Sequence, residues 1–336
     1  MTQGRLKPWQ RRRALWSDRI KLLQQMLSPS RQLRVVDIGA NPIHVPPYDM
    51  LLELGGCEVI GFEPLPAAYE ALLKQPQQNR RFINAAVGPA GAAILNVYPA
   101  SGFTSLYKLS AKSVQYLTAP SALRQVGNET EHSVTLRPLD ELGEVTMIDL
   151  LKIDVQGAER DIIAGGRAKL ANAICVIPEL RYHRLYVDEP LMGDLDCELR
   201  AQGFTLHKFM PTGSMHLQNS QSARPAIAAI SNQLVDGDAV YIRNLEDADA
   251  WSDDQLAFLA IAANGIFNSA DLCLRALDHL VARKAIPAST PEAYAMTFLA
   301  SRDDRETPLD DAEAVKSAVL EGKLETPFDE AEGQAE

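Results

Sequence analysis

From residue 33 to residue 244 the chain alternates short apolar runs with stretches whose apolar residues recur at helical spacing. "RVVDI" (34–38) predicts a buried strand, and "PPYDMLLELGG" (46–56) a helix with proline in its first turn and glycine past its end. "CEVIGFE" (57–63) predicts a second strand, "PAAYEALLK" (66–74) a second helix and "RRFINAAVG" (80–88) a third strand. "AAILNVYP" (92–99) and "HSVTLRPL" (132–139) read as shorter strands flanking a variable stretch. "MIDLLKID" (147–154) is a fourth main strand, "GAERDIIAGG" (157–166) a helix ending in glycine, and "AICVIPEL" (173–180) a fifth strand. After a helix over "LMGDLDCELRAQG" (191–203) come "FTLHKF" (204–209) and "DAVYIRN" (238–244), with no helical pattern between them, so an antiparallel pair is expected. Residues 252–300 read as helices only. The alternation predicts an α/β fold: a mostly parallel sheet with helices on both faces.

The ends of the strands change the picture. In such sheets ligands bind at the carboxyl ends of the strands. Strand one closes with Asp37, strand two with Glu63, strand four with Asp154 and strand five with Glu179. Each acid alone has an ordinary explanation. Asp154 is placed to cap the helix near Gly157, Glu63 to cap the one after Pro64, and Glu179 to pair with Arg181 or Arg184. Four acids converging on one sheet edge are harder to explain that way, because buried carboxylates need partners.

The first strand runs into Asp37 and then Gly39, as at a nucleotide or S-adenosylmethionine site, but Asn41 and Ile43 stand where later glycines of such a turn are expected. Glu63, 26 residues beyond Asp37, is placed to accept hydrogen bonds from ribose hydroxyls. It suits NAD or S-adenosylmethionine and would repel the 2′-phosphate of NADP. A pyrophosphate needs several backbone N–H groups at close range, which the missing glycines would permit. A cofactor with no phosphate and a cationic sulfonium fits this loop better. An NAD-dependent oxidoreductase and a non-catalytic adaptor that keeps the fold remain as alternatives.

Taken together, "VVDIGAN", "GFEP", "LLKIDVQGAERDIIAGG" and "PELRYHRLY…ELRAQGF" resemble the FkbM family of S-adenosylmethionine-dependent methyltransferases, over about residues 33 to 244. The most specific part is Lys152 to Glu159. The resemblance implies a class I methyltransferase (Rossmann-like) fold, with a seven-stranded sheet whose last strand is antiparallel and a C-terminal helical extension. It implies that Asp37, Gly39 and Asn41 form the loop on the methionine side of the cofactor, that Glu63 binds the ribose and that Ala86 lies near the adenine. It places Asp154 at the methionine end and facing the acceptor, and Glu179 in the acceptor pocket. The implied acceptor is a hydroxyl of a sugar, glycan or natural-product intermediate. Asp154, Glu179 and His183 are the candidate bases. Ile43 and Gln156 depart from the glycine and glutamate of many members, and Gln156 cannot act as a base.

Composition and charge bound the rest. The chain of 336 residues is 46% hydrophobic and 23% charged, an ordinary globular balance. No run approaches the ~18 to 20 apolar residues of a membrane span. Four scattered cysteines, 57, 175, 197 and 273, suggest neither a zinc site nor a disulfide framework, no dedicated metal-ligand cluster is evident, and a cytoplasmic setting is expected. A net charge of −11 argues against a nucleic-acid partner. Residues 1–21 carry seven Lys/Arg and one acid, and residues 302–336 carry twelve acids and four bases. The expected layout is a basic N-terminal helix over 1–30, a methyltransferase domain over 31–246, a helical extension over 247–325, and a disordered acidic tail over 326–336. Trp16, Ile20, Leu23 and Leu27 form a stripe suited to docking on a core. The stretches 101–109 and 211–225 either line the acceptor pocket or are plain surface loops.

Overall fold

A computed structural model describes residues 7–43, 45–75, 78–117 and 120–299. The part of the expected helical extension beyond residue 299 and the acidic tail lie outside the described residues. The chain divides into two compact units, one of Pro29–Leu259 and one that joins the N-terminal helix to residues from 260 on.

Ten strands belong to the larger unit: β1 (Leu33–Ile38), β2 (Cys57–Phe62), β3 (Arg80–Ile83), β4 (Ala86–Val87), β5 (Gly91–Val97), β6 (Thr130–Arg137), β7 (Leu150–Ile153), β8 (Cys175–Arg181), β9 (Phe204–Met215) and β10 (Gln233–Arg243). Seven form one sheet in the order β3-β2-β1-β7-β8-β10-β9. The central strands are the most apolar. All four residues of β7 are buried, as are Val35, Val36 and Ile38 of β1. Strands covered on both faces read as continuous hydrophobic runs for this reason. Pairing is parallel from β3 to β8, and β10 is antiparallel to both β8 and β9. The last strand in the chain is thus the antiparallel one, inserted between β8 and the edge strand β9. Chain order reverses between β1 and β7, which is the switch point at which such sheets open a crevice.

Two expected elements differ. The single strand over 80–88 is two, because Asn84 turns the chain: its amide donates to the carbonyl oxygens of Glu63 (2.9 Å) and Pro64 (3.0 Å). β4 then leaves for a second, three-stranded sheet, β4-β6-β5. The helix over 46–56 shrinks to Asp49–Glu53, since Pro46 and Pro47 belong to the preceding turn, where the Pro46 carbonyl accepts from the Asp49 N–H.

In the smaller unit, the helix Pro8–Leu27 buries Ile20 and Leu23 fully, with Trp16 and Leu27 half-buried beside them. Trp16 Nε1 donates to the Asn264 carbonyl at 2.7 Å, and the Arg19 guanidinium lies 3.7 Å from the centre of the Phe298 ring. Trp16 and Arg19 thus bind the helix within its own unit. Among the described residues no helix is long and apolar enough to cross a membrane.

Candidate active site

At the end of β1 the chain must pass over the end of β7. Gly39 has φ +86°, and a Cβ there would stand 1.9 Å from the Asp154 carbonyl oxygen. Only glycine fits. The turn is held from the other side by β2, whose last carbonyl, that of Phe62, accepts from the N–H groups of Gly39 (3.0 Å) and Ala40 (3.1 Å). Asn41 then does without glycine: its Oδ1 accepts from the Ile43 N–H at 3.2 Å, and its own N–H donates to the Gly39 carbonyl at 2.7 Å. The side chain closes the turn in place of backbone freedom, so the absent glycines mark a variant loop.

Asp37 is buried below this loop and accepts a hydrogen bond from the Tyr48 hydroxyl. Burial pushes its pKa up to about 6 despite that bond. Glu63 at the end of β2 is 4% exposed, and its Oε1 accepts from the Leu65 N–H at 2.8 Å. Burial raises its pKa to about 7. Among the described residues each carboxylate accepts one hydrogen bond.

The ends of β7, β8 and β10 make the other half. Asp154 Oδ1 and Glu179 Oε2 each accept from Gln156 Nε2 at 2.9 Å. Glu179 also accepts from Arg181 at 3.0 Å, yet burial holds its pKa well above the ordinary carboxylate range. Lys152, almost buried, donates to Asp238 at 3.1 Å and lies 4.0 Å from Asp154. Arg181 reaches across to Asp236 at 2.7 Å. The carboxylates of Asp154, Glu159 and Glu179 lie within 4.8 Å of one another, close enough to share a divalent ion. N–H donors already engage them: Glu159 accepts from the backbone of Val155 and Gly157, each at 2.9 Å, and Gln156 serves the other two.

One cavity of about 410 Å³ is lined by Asp37, Gly39, Asn41, Glu63, Asp154 and Glu179 together. The family model for the methyltransferase FkbM domain matches residues 37–206, half of the chain. The chain belongs to the FkbM methyltransferase family. Its cofactor is therefore S-adenosylmethionine, and the seven-stranded order with an antiparallel last strand is the class I methyltransferase fold. Among solved structures it is similar to the magnesium protoporphyrin IX methyltransferase of Synechocystis with bound cofactor (14% identity, 72% of this chain and 87% of that one, TM-score 0.30). It is also similar to a precorrin-6y C5,15-methyltransferase from Geobacter metallireducens (13% identity, 73% and 93%, TM-score 0.31). A third is a putative tRNA (m1A22) methyltransferase from Streptococcus pneumoniae (15% identity, 84% and 97%, TM-score 0.31). No curated protein matches the chain.

Two predicted site residues of this methyltransferase are not in the lining. Ala86 sits in β4, paired with Leu136 in the second sheet. His183 stacks on Tyr116, with ring centroids 5.6 Å apart. Asp154 does not cap the following helix, Glu159–Ala164; Glu159 holds that turn through the backbone bonds given above. Of the two uncertain stretches, Ser101, Gly102 and Thr104 line the cavity, and so do Pro211 and Gly213, which belong to β9 and not to a loop. Sequence reading missed Tyr48, Lys152, Asp236 and Asp238. A lysine inside the apolar run "LLKI" and the Asp-Gly-Asp of β10 were the available signals.

Proposed function

We propose that this methyltransferase acts on a hydroxyl of a sugar, glycan or natural-product intermediate, and that it works in the cytoplasm on an acceptor other than nucleic acid. The convergence of five strand-end and turn residues, Asp37, Gly39, Glu63, Asp154 and Glu179, on a single cavity carries the reading. In this scheme the loop from Asp37 to Asn41 holds the methionine part of the cofactor and Glu63 accepts from the ribose hydroxyls. Asp154 faces the methyl group, with Glu179 beside the acceptor. S-adenosylmethionine, when bound there, would supply the methyl group, and Asp154 would take the proton that the acceptor hydroxyl gives up as it is methylated. His183 stands outside the cavity lining, which favours the carboxylates as bases.

Calorimetric titration with S-adenosylmethionine, followed by release of S-adenosylhomocysteine in the presence of candidate polyhydroxyl acceptors, tests the reading. Micromolar binding with turnover is expected. Binding without turnover on any acceptor would favour a non-catalytic adaptor.

Glu63 gives this binding a pH signature. Its raised pKa means that the empty folded protein keeps a proton that the unfolded chain releases near pH 4.5, so its stabilising contribution is lost as pH rises through about 7. Ribose hydroxyls donate to the ionised carboxylate, so binding below that pH must expel the proton. Cofactor affinity is expected to rise by up to about tenfold per pH unit on approaching neutrality, then level off. Glu63→Gln should flatten the curve, and a wild-type affinity independent of pH between about 5.5 and 7 would refute the ribose role.

A further inference from the structure

Gln156 lies two residues beyond Asp154 at the end of β7, and no step above uses it. It adopts φ +59°, a left-handed conformation that costs a non-glycine residue free energy. Its amide uses its whole hydrogen-bonding capacity. Nε2 donates to Asp154 and to Glu179, both at 2.9 Å. Oε1 accepts from Arg181 at 3.1 Å and from the Tyr186 hydroxyl at 3.0 Å. Its main-chain carbonyl accepts from the Ser105 hydroxyl at 2.6 Å. A reversed amide would set oxygen against two carboxylates and NH2 against a guanidinium, so only one orientation is compatible with these partners.

The surrounding charges come from every neighbouring element. Asp154 follows β7, Glu159 opens the next helix, and Glu179 and Arg181 lie on β8. Arg181 is shared further with Asp236 of β10 at 2.7 Å and with Glu189 at 3.4 Å. Two carboxylates that share one small group need donors between them. An amide supplies two donors and no charge, whereas an ionised glutamate of the same shape supplies none and adds a third like charge.

We infer that Gln156 is a positioning residue of the methyl-transfer site, whose amide ties Asp154 to Glu179 by donating to both. The inference rests on the functional reading above. It deepens that reading by naming what holds the Asp154 carboxylate at the methionine end of the cofactor. In Gln156→Glu the new carboxyl would sit among Asp154, Glu159 and Glu179 and would keep its proton more tightly than a free one. Protonated, it returns one of the two lost donors. The variant should therefore resemble wild type in acid and fail as pH rises, a dependence that a purely structural role would not produce.

The test is calorimetric titration of the full chain with S-adenosylmethionine across about pH 5.5 to 8.5, beside thermal melts. Gln156→Glu is expected to bind roughly tenfold or more weakly than wild type near pH 8, the scale of a lost charge-assisted hydrogen bond. The gap should close to within about threefold near pH 5.5. The double variant Gln156→Glu with Glu179→Gln moves the amide across the same contact and removes one charge. It should recover most of the affinity near pH 8, and it is titrated instead if the single variant does not fold. A gap constant with pH, or a double variant no better than the single one, overturns the inference. A wild-type protein that does not bind S-adenosylmethionine at any pH overturns the functional reading and this inference with it, and is distinguished by that result alone.

Discussion

Asp154→Asn is expected to fold with a near-normal melting temperature and to lose ~10²-fold or more in turnover, the usual scale of a missing general base. The geometry separates this outcome from a structural one. The residue's Oδ1 accepts from Gln156, and an asparagine oxygen can accept in the same place. Helix capping is not at stake, because the backbone N–H groups of Val155 and Gly157 go to Glu159. What asparagine removes is the charge that faces Lys152 at 4.0 Å and the capacity to take a proton. Release of S-adenosylhomocysteine at wild-type rate by Asp154→Asn would return the base role to Glu179.

Gly39→Ala is expected to act on folding before chemistry. The added Cβ meets the backbone of Asp154, an oxygen at 1.9 Å and a carbon at 2.9 Å, neither of which can rotate away. The φ of +86° adds its own cost. Together these should remove about 3 kcal/mol or more of stability, a fall of roughly 6–12 °C in melting temperature for a unit of this size. Cofactor affinity should drop with it, because relief of the clash displaces the loop that carries Asn41. An unchanged melting temperature would show that the turn can move aside, and the close approach would then carry no obligation for glycine.

Several of the cavity's carboxylates were legible in the sequence because each ends an apolar strand. Asp37, Glu63 and Asp154 are found by reading to the end of "RVVDI", "GFE" and "LLKID". The β10 side of the cavity was not legible in this way. Asp236 and Asp238 reach Arg181 and Lys152 only because β10 inserts between β8 and β9, a pairing that no local pattern encodes. Tyr48 was hidden for a different reason. It lies in a helix-start stretch rich in proline, where an aromatic residue reads as packing, and its bond to Asp37 is a matter of tertiary approach. His183 was singled out by residue type alone; in the structure it stacks on Tyr116 and is not part of the cavity lining. In the sequence Gln156 stood out only as a residue that cannot act as a base. In the structure it makes more contacts with the acids than any carboxylate at that place could sustain.

The insertion of β10 also sets an order of assembly. β9 pairs within the sheet with β10 alone, so it has no place to dock until the strand made after it has been synthesised. Chains grow from the N-terminus and fold as they emerge. A nascent chain that ends before Gln233 already contains Asp37, Glu63, Asp154 and Glu179, but leaves the edge of β8 open and β9 without a partner. Asp37, Glu63, Asp154 and Glu179 all precede in sequence the β10 residues that complete the cavity lining. Only a chain grown through Arg243, the end of β10, can cover the open edge of β8 and bring Asp236, Gly237 and Asp238 to the cavity lining.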